Sequence, residues 1–154
     1  MALIESQVVR HIGDEAAPWV DTGMGIDLKV MRVDVEAGVW VIRNRFQPGV
    51  ELQTHKHTGT VEGYTLSGSW HYREYDFVST SGSYIHEPAG SIHTLHVPEE
   101  NTETTDVLFA ISGALLYLTP DGQVESVVDA GSIAEAYLAL CEVAGLGRPE
   151  ILLS

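Results

Sequence analysis

The sequence predicts an all-β barrel or jelly roll, and three observations lead there. Short β-rich runs follow one another between about residues 27 and 128. Turn signals built on Gly, Pro, Ser and Asp separate them at near-regular intervals, the pattern of antiparallel strands and not of βαβ units. No G-x-G-x-x-G, P-loop or internal repeat argues for another architecture.

Residues 1–26 read as a lead-in, with Pro18, Gly23 and Gly25 as breakers. Strands are then expected over Leu28–Val33, Gly38–Phe46, Glu51–His57, Glu62–Tyr72 and Ser83–Glu87, and over His93–Val97, Thr105–Ser112, Ala114–Leu118 and Val124–Val128. Their turns are Gln47-Pro48-Gly49, Ser67-Gly68, Thr80-Ser81-Gly82, Pro88-Ala89-Gly90 and Pro120-Asp121-Gly122. A capping box at Ser132-Ile133-Ala134-Glu135 opens a helix, and Gly145 stops it. Ile133, Tyr137, Leu140 and Cys141 share one stripe, so the helix packs outside the barrel with Cys141 as a buried small residue. The organisation is a lead-in over 1–26, a barrel over 27–128, and a helix and tail over 129–154. The apolar tail Ile151-Leu152-Leu153 is expected to cap the core or a partner subunit.

A chain of 154 residues is expected to form one domain with a single substantial core. Its formal net charge of −14, with eight scattered Lys and Arg, disfavours binding to nucleic acid and to anionic membranes. No apolar run approaches the length of a membrane span, and the N-terminus lacks the pattern of a secretory signal. The lone Cys141 suits a reducing cytoplasm, the expected location.

His55-Lys56-His57, followed by Pro88-Ala89-Gly90-Ser91-Ile92-His93, carries the chemistry. An H-x-H pair on a strand points both imidazoles to one face, because strand side chains alternate with period two. A third histidine on a later strand then closes three corners around one metal ion. Three protein ligands leave positions open for water, substrate or dioxygen, the mark of a reactive metal. The bland alternative is a pair of edge-strand histidines and a turn histidine at the surface.

With Gly49, Gly68 and Gly82 around them, these residues resemble the two cupin motifs, G-x5-H-x-H-x3,4-E-x6-G and G-x5-P-x-G-x2-H-x3-N. The motif glutamate falls on Glu62 when counted from His57 and on Val61 when counted from Gly68, and these choices turn opposite strand faces inward. With Val61 inward the set is His55, His57 and His93 alone, the reading we favour. Val97 replaces the motif asparagine. His71, His86 and His96 lack ligand spacing, and His11 precedes the barrel. Tyr64 and Trp70 either line the cavity or fill the core, and Arg73 either balances a substrate enolate or is a rim charge.

A narrower resemblance is carried by Gly82-Ser-Tyr-Ile-His-Glu-Pro-Ala-Gly-Ser-Ile-His-Thr-Leu-His-Val-Pro98, by Leu108-Phe109, and by Gly113-Ala-Leu-Leu-Tyr117 with Asp121-Gly122. The strand Ser67-Gly-Ser-Trp-His-Tyr72 agrees with it. The chain resembles the 2,4′-dihydroxyacetophenone dioxygenases, with the acetylacetone-cleaving dioxygenases as relatives. That resemblance implies a cupin jelly roll holding ferrous iron on His55, His57 and His93. Zinc or another divalent ion is the alternative metal. It implies Glu87 as a residue that orients a ligating imidazole, with Arg73 and Tyr64 as further catalytic candidates. The implied reaction is cleavage of a carbon–carbon bond in a small hydroxyketone or β-diketone by dioxygen. A homodimer or homotetramer is the expected assembly. The alternatives are a zinc-binding sensor resembling the cupin domains of ChrR-type anti-sigma factors, and a redox-silent small-molecule-binding cupin.

Overall fold

The computed structural model describes residues 7–154, and they build a jelly roll with one helix outside it. A 3-10 turn at Asp14–Ala16 leads into β1 (Val20–Asp21), β2 (Ile26–Asp34) and β3 (Val39–Phe46). Next come β4 (His55–His57), β5 (Val61–Ser67), β6 (Ser69–Tyr72), β7 (Ser79–Thr80) and β8 (Tyr84–Glu87). Then follow β9 (Ile92–His93), β10 (Leu95–His96), β11 (Thr105–Ser112), β12 (Leu115–Leu118) and β13 (Val124–Val128). Helix α1 (Ala130–Val143) and β14 (Leu152–Leu153) complete the chain.

The main sheet runs β1-β2-β3-β11-β5-β8, with β14 added in parallel on β2. A four-stranded sheet, β13-β12-β4-β9, and a three-stranded one, β10-β6-β7, complete the wall. Residues from all three sheets line one central cavity, so the core lies between them. Strict alternation drives this arrangement. On β11, Thr105, Val107, Phe109 and Ile111 are buried while their neighbours are half-exposed, as a strand with one face on the core requires.

Three expected strands are divided or cut short. Glu62–Tyr72 divides at Gly68, whose φ of +79° breaks the ladder. A Cβ there would stand 2.2 Å from the Thr105 hydroxyl, so glycine is required on steric grounds as well. Of Glu51–His57, only His55–His57 forms a strand. The Leu52 amide donates to Leu95 and the Thr54 carbonyl accepts from Leu118, so the segment passes between two strands without building a ladder on either. His93–Val97 likewise divides into β9 and β10, which pair with β4 and β6 respectively.

The helix begins earlier than the sequence motif indicates. Asp129 is the N-cap: its carboxylate accepts from the Ser132 amide, and the Ser132 hydroxyl accepts from the Asp129 amide. Ser132 is thus the reciprocal partner of the cap, and it frees the first turn for Ala130 to pack. Tyr137 and Cys141 are buried as expected, and the helix lies on β1 and β2. Gly145, with φ of +74°, follows its end. The tail covers the β2 edge, where the Ser154 amide donates to Val33.

Candidate metal centre

His55 and His57 are both buried on β4, with Lys56 between them facing outward. His93 lies directly across from His55 in the antiparallel pairing of β4 with β9. The intervening turn is short because Gly90 adopts φ of +86°. Its amide donates to the His57 carbonyl at 2.7 Å, and the His57 amide donates to Ser91 at 3.1 Å. The Pro88-Ala89-Gly90 turn is therefore stitched to the same strand that carries the first two histidines.

The three imidazoles each present a nitrogen within 4.8 Å of the other two. His55 points its Nδ1 at the Gln53 carbonyl, 3.0 Å away, which fixes the ring and leaves Nε2 for a ligand. Burial holds the pKa of His55 down at about 4, and the neighbouring His93 pushes the same way. Burial also lowers His57 to about 4, against the opposing pull of Glu87. Both are neutral at pH 7, the form in which imidazole binds a metal.

Glu87, at the end of β8, is buried beside them. Its Oε2 accepts from the Tyr72 hydroxyl at 2.8 Å. Its Oε1 stands 2.7 Å from His93 Nε2 and 3.6 Å from His57 Nε2. Burial alone would raise its pKa, but the close approach of His93 brings it below the ordinary glutamate value. The same carboxylate and burial push Tyr72 well upward, so its hydroxyl remains a donor. Tyr72 also stacks on His93, with ring centroids 3.9 Å apart.

Glu87 Oε1 and His93 Nε2 face each other at 2.7 Å in a buried ion-pair contact, and the buried His57 Nδ1 has no hydrogen-bond partner. An unsatisfied buried polar atom costs about 1–3 kcal/mol, and more when charged. A divalent cation fits the three-histidine set, whose neutral nitrogens it would bind.

The metal-facing residues open on a cavity of about 290 Å³. Its polar end is made by His55, His57, Tyr72 and Glu87, and its body by Leu28, Trp40, Ile42, Phe46, Phe109 and Ile111 among others. No Lys or Arg lies among the described lining residues.

The remaining candidates point away. Val61, not Glu62, faces inward on β5; Glu62 pairs outside with Tyr84 and with His86 at 2.8 Å. Tyr64 has the same parity as Glu62 and is exposed. Arg73 lies in the turn just after β6, is exposed, and pairs with Glu51. Neither Tyr64 nor Arg73 lines the cavity: strand alternation turns Tyr64 to the opposite face, and Arg73 sits exposed in the turn after β6. Trp70 fills the core and donates to Thr65 at 2.9 Å. His71 and His96 meet each other at 3.0 Å on the β6–β10 pair. Tyr72 is the site residue that motif reasoning missed; its shared parity with Trp70 was the available signal.

Comparison with known proteins is consistent with this architecture. Residues 7–115 match the family model described as the ChrR cupin-like domain. A protein of unknown function with a cupin-like fold from Ralstonia eutropha JMP134 is 31% identical, with 99% of this chain and 96% of that one covered and a TM-score of 0.86. An RmlC-like cupin protein from the same organism is 28% identical over 99% of both chains, with a TM-score of 0.90. An acetylacetone dioxygenase from Acinetobacter johnsonii shares the fold at 18% identity, covering 91% of this chain and 97% of that one, with a TM-score of 0.75. No curated protein matches the chain.

Proposed function

Since the chain belongs to the ChrR cupin-like domain family, we propose that it is a mononuclear metal enzyme, a ferrous dioxygenase that cleaves a carbon–carbon bond of a small hydroxyketone or β-diketone. One observation carries this reading: three buried histidines cluster together, and two of them, His55 and His57, line an apolar cavity. His55, His57 and His93 would hold the ion. Bound there, ferrous iron would supply redox chemistry with dioxygen and lower the pKa of a chelating hydroxyl or enol.

The chain's own residues supply selection and orientation. A cavity of about 290 Å³ sits at the small end of ligand pockets and suits a compact substrate. Its apolar wall favours a ligand whose oxygens lie together at one end and whose body is hydrocarbon or aromatic. Without a lining Lys or Arg among the described residues, a free carboxylate deep in the cavity would lack a counter-charge. An anion is therefore tolerated only at the metal end, which is where an enolate would form. Glu87 is the anionic oxygen nearest the histidines, while Tyr72 keeps its own proton and holds Glu87 in place.

A zinc-binding sensor domain is the second reading, supported by the match to the ChrR cupin-like domain. Metal analysis after native purification, followed by dioxygen uptake with iron-loaded protein against a panel of hydroxyketones and β-diketones, separates the two. The enzyme reading expects iron and substrate-dependent oxygen consumption. Stoichiometric zinc with no uptake by the iron-loaded form would contradict it.

A further inference from the structure

Resting on the metal-centre reading above, we infer that Asn44 determines specificity at the opposite end of the cavity, where it selects a ligand that carries a hydroxyl remote from its chelating oxygens. The first observation is a break in the pattern of β3. Its inward positions are Trp40, Ile42, Asn44 and Phe46, and all four line the cavity. Three are large and apolar, and the fourth is a primary amide. An amide among such neighbours costs free energy unless its polar atoms find partners. Departures of this kind from the apolar pattern concentrate at functional sites.

Strand register places the amide. One row crosses the main sheet as Trp40, Ile111, Val61 and Glu87, and it ends on the carboxylate that meets His93. The row of Asn44 continues through Val107 and Thr65. Trp40 and Asn44 are four residues apart on β3, which corresponds to about 13 Å of strand. Of the other polar lining residues, Tyr117 pairs with His55 across β12 and β4 and so belongs to the histidine end. Thr22 donates its hydroxyl proton to the Ile26 carbonyl at 2.6 Å. Met24 marks the mouth, because it lines the cavity and is 70% exposed. It lies in the loop between β1 and β2, just before Ile26, and Leu28 of β2 pairs with Asn44. A ligand entering there meets the histidines with its leading oxygens and leaves its trailing end at Asn44.

The hydrogen bond that Asn44 makes decides what it offers. Its Nδ2 donates to the Asp27 carbonyl at 3.3 Å. A carbonyl only accepts, so this contact fixes which way the amide is turned. The Oδ1 acceptor takes no hydrogen bond from any described residue. A neutral hydroxyl supplies the missing donor, whereas an ammonium would bring an unpaired charge beside an apolar wall.

The experiment uses the full-length chain loaded with zinc, which allows chelation without oxygen chemistry. Calorimetry measures the binding of para-hydroxybenzoylacetone and para-methylbenzoylacetone to wild type and to Asn44→Leu. The two diketones have nearly the same shape and differ in the donor at the far end. The four affinities form a cycle in which intrinsic differences between the ligands cancel. The ratio of hydroxyl to methyl affinity is expected to be about 10-fold higher in wild type than in Asn44→Leu, the equivalent of one net hydrogen bond. The methyl ligand should bind both proteins. The same ratio in the two proteins would overturn the inference and leave the metal-centre reading standing. Failure of both diketones to bind zinc-loaded wild type would overturn both readings. Should Asn44→Leu not fold in a thermal melt, Asn44→Ala takes its place in the cycle, with the same outcomes.

Discussion

Two clusters of the same three side-chain types lie back to back across the pairing of β5 with β8. Inside, Glu87 meets the Tyr72 hydroxyl and His93. Outside, Glu62 meets the Tyr84 hydroxyl and His86. Val61 pairs with Glu87 and Glu62 with His86, so one step along the ladder separates the two faces. The outer carboxylate is satisfied by both neighbours and open to water. The inner one is only 4% exposed and keeps an oxygen without a partner. Composition and pair chemistry therefore do not distinguish a site from a decorated surface; burial and an unspent donor set do.

Acid should break the symmetry most strongly. In metal-free protein His55 and His57 have pKa values near 4, against 6.5 for the unstrained imidazole. Between those values the unfolded chain binds protons that the folded chain refuses. Stability from this source is intact above pH 6.5 and is lost as pH falls towards 4, by up to about 3 kcal/mol per histidine. The outer Glu62, held low by Tyr84 and His86, responds only below the ordinary carboxylate range. Denaturant melts of metal-free protein across this window should show the slope, and His55→Gln with His57→Gln should remove most of it. An unchanged slope in the double variant would place the acid sensitivity elsewhere.

The two tyrosines sharpen the same contrast at smaller scale. Tyr72→Phe leaves a buried carboxylate oxygen without its donor and should cost about 1–3 kcal/mol. Tyr84→Phe removes a hydrogen bond that water replaces and should leave the melt essentially unchanged. Equal losses in paired chemical melts would show that the inner cluster is no more constrained than the outer one.

Much of this contrast was legible in the sequence. The period-two rule placed His55 and His57 on one face, and the turn Pro88-Ala89-Gly90 located His93. The same rule left Val61 and Glu62 undecided, because two counts of the motif disagreed by one residue and a single step inverts a strand. It also bore on Tyr64, whose parity opposes the inward Val61, whereas Arg73 falls in the turn after β6 where the rule no longer applies. The inward neighbours of Tyr64 were identified only once the core was known. The Asp129 cap was hidden because Ser132 offers an equally good capping pattern, and tertiary packing of Ala130 selects the earlier start. The approach of Glu87 to two Nε2 atoms depends on tertiary distances that no spacing encodes.

The most direct test of the central claim is a titration of divalent metal into wild type and His93→Ala, with thermal unfolding recorded on the same metal-free samples. The account predicts one tightly bound ion per wild-type chain. It predicts loss of that ion in His93→Ala and a folded metal-free barrel in both, since an apolar core of Trp40, Phe46, Trp70 and Phe109 holds the domain together. Full-strength binding in His93→Ala would contradict the account.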